Sequence, residues 1–449
     1  VGRHMSRLKH RRKRLSSFQM ILLGFAGVIV LGALILMLPI SSVQGIVTSF
    51  DKTLFTSVSA VCVTGLVVID TGSYWSIFGQ AIIIMLIQIG GLGVITFAAS
   101  LAMLSGRKIS LMQRSTMQNA ISAPEVGGIV RLTRFILFGT FIIETAGALL
   151  MMPAFCKDFG LKGIWYSFFH SISAFCNAGF DILGTENNKF ASLTDYAANP
   201  FVNITVMLLI TIGGIGFLTW DDICTKRFHI KRYRMQSKVV LVTSALLVFI
   251  PAIFFFFADF SDAKISERIF YSLFQSVTTR TAGFNTVNLL EMSSSSRAIM
   301  TMLMLVGGSP GSTAGGMKTT TIAVLFATAV ATFFQRDNIG FFKRRIEDSV
   351  IKTVATIVTM YTSLFFVSGV AISVVEKLPL SVCLFETASA IGTVGLTLGI
   401  TPSLSLFSRV ILMGLMYFGR VGGLTLIYAA FSNKQHVNSK LPQEKITVG

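Results

Sequence analysis

Four stretches decide how this sequence folds: Val61-Cys62-Val63-Thr64-Gly65-Leu66, Phe175-Cys176-Asn177-Ala178-Gly179-Phe180, Thr279-Arg280-Thr281-Ala282-Gly283-Phe284 and Ile391-Gly392-Thr393-Val394-Gly395-Leu396. Each carries a glycine in fifth place, and these glycines lie 114, 104 and 112 residues apart. Aligning them brings Phe55, Phe169 and Phe385 into one column with Leu273, and Ser59, Ser173 and Ser389 into another. A Gly-Gly pair follows each loop: Gly90-Gly91, Gly213-Gly214, Gly307-Gly308 and Gly422-Gly423. One glycine in an apolar loop reads as helix packing or a turn. Four in register, with flanking columns, read as a fourfold internal repeat.

Each loop closes a short apolar stretch, near 53–63, 163–175, 268–279 and 379–391, too short to cross a bilayer and typical of re-entrant helices. Eight longer segments alternate with them: 18–38, 76–104, 133–152, 201–220, 238–257, 297–332, 350–374 and 405–431. Each of these can span a hydrocarbon core of about 30 Å at about 1.5 Å per residue. Composition agrees: of 449 residues 53% are hydrophobic and only 13% charged, against about 25% charged in soluble domains. The formal charge of +18 therefore does not mark a nucleic-acid binder, and so apolar a chain is not disordered. The five cysteines are widely spaced and read as reduced thiols; no cysteine or histidine spacing suits zinc.

The expected fold is an all-α polytopic membrane protein. It has four consecutive repeats of outer helix, re-entrant pore helix with filter loop, and inner helix, arranged pseudo-fourfold around one central pore. The expected units are a basic N-terminus (1–16), repeats at 17–106, 130–222, 236–335 and 348–431, and a tail at 432–449. Val1 to His4, ahead of Met5, resemble a cloning remnant. Two spans per repeat place all inter-repeat loops on one side. That side holds 26 Lys and Arg against 9 on the other, with Arg280, Lys318 and Arg420 in pore-loop or spanning segments. The positive-inside rule makes the basic side cytoplasmic, with both termini, and turns the glycine loops toward the outer half. The outer face is left mildly acidic.

Four loops of this kind can replace the hydration of a monovalent cation with backbone carbonyls. Glycine relieves the strain of positive φ in such loops, and the negative ends of the four short helices favour a cation between them. The expected filter comprises Val63, Thr64 and Gly65; Asn177, Ala178 and Gly179; Thr281, Ala282 and Gly283; and Thr393, Val394 and Gly395. The loops hold no carboxylate, which disfavours a divalent-cation filter. In the third repeat Gly307-Gly308-Ser309-Pro310-Gly311-Ser312-Thr313-Ala314-Gly315-Gly316-Met317-Lys318 interrupts the inner span. Irregular backbone at membrane depth is tolerated only where it lines a cavity or is buried in protein, so this segment reads as a gate loop below the filter. Phosphate binding fits poorly, because the spacing misses GxxxxGK[ST]. Charges in spans are functional candidates. Arg420 lies in the fourth inner helix just before Gly422-Gly423, where an arginine facing a cation path would lower occupancy beneath the filter and could pair with loop carbonyls; Lys318 borders the loop, and Arg280 braces the third filter loop. Glu144 is expected either to neutralise one of these arginines or to snorkel to a helix end.

These loops resemble those of the Trk/Ktr/HKT superfamily of potassium transporters over about residues 18–431, and most of all the bacterial Ktr membrane subunit. The resemblance implies one filter glycine per repeat, Gly65, Gly179, Gly283 and Gly395, and gating roles for the interrupted helix and Arg420. In plant relatives a serine at the first glycine goes with sodium permeation, so Gly65 implies potassium preference. It also implies a homodimer in the plasma membrane, docked on a cytosolic RCK-type nucleotide-binding ring (KtrA/KtrC type). ATP or ADP would then bind that partner, with potassium the ion handled by this chain and no organic cofactor on it. Two other classes stand against this. A membrane enzyme would need a nucleophile, metal set or paired carboxylates, and none is evident. An ion-coupled carrier with inverted repeats is disfavoured because all four repeats share one orientation; sodium permeation stays open.

Overall fold

In a computed structural model the described residues are 16–104, 110–121 and 128–430. The expectations for the basic N-terminus and for the tail lie outside them. The chain forms four consecutive units of one design. Each begins with a long outer helix: Ser17–Leu36, Ile129–Phe159, Met235–Ala258 and Asp348–Glu376. By length and composition these four can cross a membrane unaided. The first opens on a capping box, with the Gln19 N–H donating to Ser16 Oγ (3.2 Å) and the Ser16 N–H to Gln19 Oε1 (3.0 Å).

A short pore helix packs behind each outer helix: Phe50–Val61, Lys162–Phe175, Ile265–Thr278 and Leu380–Gly392. The same device fixes three of the pairs. Ser57, Ser171 and Ser276 donate to the outer-helix carbonyls of Ile29 (2.7 Å), Glu144 (2.6 Å) and Val248 (2.5 Å). Small residues allow this approach: a Cβ on Gly32 or Gly147 would lie 2.6 Å from Ser57 Oγ or Ser171 Oγ.

The inner helices correct one expectation. Only the third was expected to be broken, yet all four are. Ile77–Leu92 turns 99° into the next helix, Pro200–Gly214 turns 99° into Phe217–Lys226, and Leu406–Val421 turns 90° into the next. Each turn uses a glycine in the left-handed region, Gly93 (φ 86°), Gly216 (89°) and Gly422 (89°), where a side chain would be strained. In the third repeat the break is longer: Ser294–Met304 and Thr319–Phe333 are separated by irregular backbone. A helix, Leu111–Ile121, and a hairpin pairing Gly340–Phe341 with Arg344–Arg345 join repeats; neither was anticipated.

Candidate functional site

The four pore helices end in four turns built alike. The N–H groups of Thr64, Ala178 and Val394 reach back to the carbonyls of Ser59, Ser173 and Ser389, each at 2.8 Å. In the third repeat the Ala282 N–H reaches Thr278 O (3.0 Å), one residue fewer. This offset corrects the sequence columns. Phe55, Phe169 and Phe385 are fully buried, and their counterpart is Phe274, also fully buried, rather than Leu273. Thr278 likewise takes the serine place: its hydroxyl donates to Phe284 O, as Ser173 donates to Phe180 O, both at 2.7 Å. Ser59 and Ser389 instead accept the N–H of Gly65 (3.1 Å) and Gly395 (3.0 Å).

Beyond these turns the loops close on one another. Gly65, Gly179, Gly283 and Gly395 all have positive φ, at 92°, 67°, 80° and 94°. Their neighbours across the ring follow a strict cycle. A Cβ on Gly65 would lie 2.3 Å from Ala178 O, on Gly179 2.5 Å from Ala282 O, on Gly283 2.4 Å from Val394 O, and on Gly395 2.2 Å from Thr64 O. Each carbonyl preceding one glycine thus sits against the glycine of the repeat before it, and the ring is shut. Two residues before each glycine, Val63 (57°), Asn177 (60°), Thr281 (68°) and Thr393 (52°) also hold positive φ. For β-branched residues that conformation is strained. It was not foreseen, because only the glycines advertise it. A cavity of about 130 Å³ opens on one side of the ring, lined by its four glycines with Asp70, Asp181 and Thr397.

On the other side the interrupted third inner helix folds beneath the ring. Ser309 and Thr313 donate N–H groups to Gly214 O (2.9 Å) and Gly213 O (3.3 Å), Gly316 donates to Gly419 O (3.1 Å), and Gly311 O accepts from Phe217 (2.7 Å). Gly307 bonds Met317 O (2.7 Å) and Gly308 O accepts from Thr319 (3.1 Å), closing the segment on itself. Ala314 and Gly315 supply carbonyls to Lys318 Nζ (2.8 and 3.4 Å), and Pro310 O lies 2.6 Å from where a Gly216 Cβ would stand. Arg420 ties this segment to the first repeat: its guanidinium donates to Thr313 O, Gly90 O and, at 2.9 Å, Gly91 O. A cavity of about 150 Å³ here is lined by Gly91, Ser312, Ala314, Lys318 and Arg420.

The structure thus brings the four loops into one ring and gathers residues 307–318 with Arg420 beneath it. Arg280 points away from the ring, donating to Ser244 Oγ (3.1 Å) and Ser244 O (3.5 Å) on the third outer helix. Glu144 corrects an expectation. It neither meets an arginine nor snorkels, but is buried and accepts from Gln88 Nε2 (3.2 Å) and the Cys176 thiol (3.9 Å). The Gly-Gly column also shifts in the fourth repeat. Gly90, Gly213 and Gly419, not Gly422, press on the pore-helix carbonyls of Val61, Phe175 and Ile391, at 2.1, 2.0 and 2.1 Å from a would-be Cβ. Glu386 was missed. It is fully buried in the fourth pore helix and accepts from Thr397 (2.8 Å) and Thr401.

Residues 16–440 match the family model TrkH, described as cation transport protein. The chain belongs to that family. It is thereby one of a family of cation transport proteins, not of enzymes. Among its relatives, the potassium/sodium uptake protein NtpJ of Enterococcus hirae is 38% identical over 98% of this chain and 99% of that protein. The Ktr system potassium uptake proteins B and D of Bacillus subtilis are 35% and 32% identical, over 96% and 97% of this chain and 96% and 98% of their own lengths. The potassium transporter TrkH from Vibrio parahaemolyticus shares the fold, with a TM-score of 0.73 at 19% identity over 95% of this chain and 86% of that one.

Proposed function

We propose that this chain is a potassium-uptake pore of the plasma membrane, with the glycine ring as its selectivity filter. The observation that carries the reading is the closed cycle in which Thr64, Ala178, Ala282 and Val394 carbonyls meet Gly395, Gly65, Gly179 and Gly283. Backbone carbonyl dipoles at such density replace the water of a weakly hydrated monovalent cation, and Val63, Asn177, Thr281 and Thr393 continue the carbonyl ladder. The pore helices, converging from four sides, add the negative ends of their dipoles. Potassium is the transported ion and is held by backbone oxygen alone.

The 307–318 loop is the gate. It fills the path under the ring, and Arg420 both holds it through three carbonyls and sets a positive charge where an emerging cation would stand. Charge-assisted bonds of this kind contribute about 1.5–3 kcal/mol each, a barrier a partner can lift by pulling the inner helices. The basic cytoplasmic face suits such a partner, a nucleotide-binding RCK-type ring docked on a homodimer of this chain. Two relatives carry the name Ktr system, which supports a second component.

Rubidium uptake into liposomes tests the reading: the parent chain loads rubidium and Gly65→Asp abolishes it. Uptake that survives Gly65→Asp, or that needs a proton gradient, contradicts it. A second reading, a pore that passes sodium as well as potassium, is favoured by the Enterococcus relative, which is named a potassium/sodium uptake protein.

A further inference from the structure

Among the four residues two places before a ring glycine, Asn177 alone carries an amide; the others are Val63, Thr281 and Thr393. Its side chain is 1% exposed and faces two ways. The amide nitrogen lies 3.4 Å from Arg280 O and 3.4 Å from Thr281 Oγ1, both in the third loop. The amide oxygen lies 3.2 Å from the Thr313 hydroxyl in the interrupted inner helix. That hydroxyl also stands 3.1 Å from Phe175 O, the last carbonyl of the second pore helix, so its single proton is shared between the two acceptors. Gly213 leaves the room: a Cβ there would lie 2.8 Å from Asn177 Oδ1 and 2.9 Å from Thr313 Oγ1. The Thr313 carbonyl, on the same residue, is one of the three that Arg420 holds.

The loop also presses on the fourth filter loop, where a Gly315 Cβ would stand 2.2 Å from Thr393 Oγ1 and a Gly316 Cβ 3.0 Å from Gly392 O. Among the described residues the Thr393 hydroxyl is buried without a hydrogen-bond partner, so its contact is one without direction. The Asn177 contact is directional and fully buried, and a buried amide oxygen deprived of its donor is costly. Moving the loop therefore cannot leave the second filter loop as it was.

We infer that Asn177 is a specificity-determining positioning residue: through Thr313 it makes the spacing of the second and third filter loops depend on the position of the gate loop. This rests on the filter reading above. By linkage the coupling runs both ways. Potassium seated between the loops favours the gate loop in place, and the loop in place favours potassium over sodium.

The test is potassium and sodium binding to the purified full chain by isothermal titration, with variants on both sides of the bridge. Thr313→Val, although outside the ring, weakens potassium binding about fivefold, the scale of one net hydrogen bond, and leaves sodium binding unchanged. Thr313→Ser, which keeps the hydroxyl, binds as the parent does. Asn177→Ala weakens potassium binding at least as much, and adding Thr313→Val to it has no further effect. The coupling is overturned if Thr313→Val binds potassium as tightly as the parent, if both ions weaken equally, or if the two substitutions multiply. Should Thr313→Val not fold, Asn177→Ala alone decides: it must narrow the preference for potassium over sodium. If the parent itself binds no potassium, the filter reading fails and not merely the bridge.

Discussion

At the scale of single residues, the ring glycines differ from exposed helix glycines in what surrounds them. A Cβ on Gly283 would stand 2.4 Å from Val394 O, whereas one on Gly27 would meet nothing within 4 Å. Gly283→Ala is therefore expected to abolish rubidium uptake, while Gly27→Ala leaves it within about twofold of the parent, since an exposed helix position tolerates alanine. Asp181 makes a second residue-scale prediction. Burial of its carboxyl, and next the nearby Asp70 carboxylate, push it up to about 7 against opposing backbone hydrogen bonds. It lines the cavity beside the ring glycines, so its negative charge there grows as pH rises through about 7. Uptake at low potassium concentration is expected to rise as external pH rises through about 7, and Asp181→Asn to flatten that profile. A profile unchanged by Asp181→Asn would show that the carboxyl does not face the ion.

At the scale of elements, much was legible and some of it was misplaced for a definite reason. The short helices and their glycine loops could be read because hydrophobic length and a repeated Gly are local signals. Register inside the third repeat could not be read so, since its turn is one residue shorter and Phe274 replaces Leu273 in the buried column. The inner helices read as continuous because a turn of 90–99° needs only one glycine at positive φ inside an apolar run. In the fourth repeat Gly419, Gly422 and Gly423 all stand close together, and only the contact of Gly419 with Ile391 O settles which is equivalent to Gly90. Glu386 stayed hidden because its partners, Thr397 and Thr401, come from the far side of the loop. The prediction at this scale concerns the gate. Arg420→Gln keeps some donors but loses the charge, and deletion of 309–316 removes the loop. Each is expected to raise partner-independent rubidium flux several-fold, the deletion more, and unchanged flux through both would remove the gate assignment.

At the scale of the molecule, four units of one orientation share one axis, so the site belongs to no single repeat. In the proposed reading specificity comes from closure: each loop presents a carbonyl to the glycine of the repeat before it, and the first presents its own to the fourth. The surplus of basic residues, +18 overall, accords with the topology expected from the positive-inside rule and with the proposed partner. ATP and ADP are expected to alter flux only when the nucleotide-binding partner is present; an effect on the purified chain alone would contradict that division of labour. The central claim is that the glycine ring selects potassium, and reversal potential tests it most directly. With potassium in excess on one side of a planar bilayer and sodium in excess on the other, the purified chain with its gate loop intact should reverse close to the potassium equilibrium potential. A reversal potential near zero would mean that the ring does not discriminate, and would contradict the account.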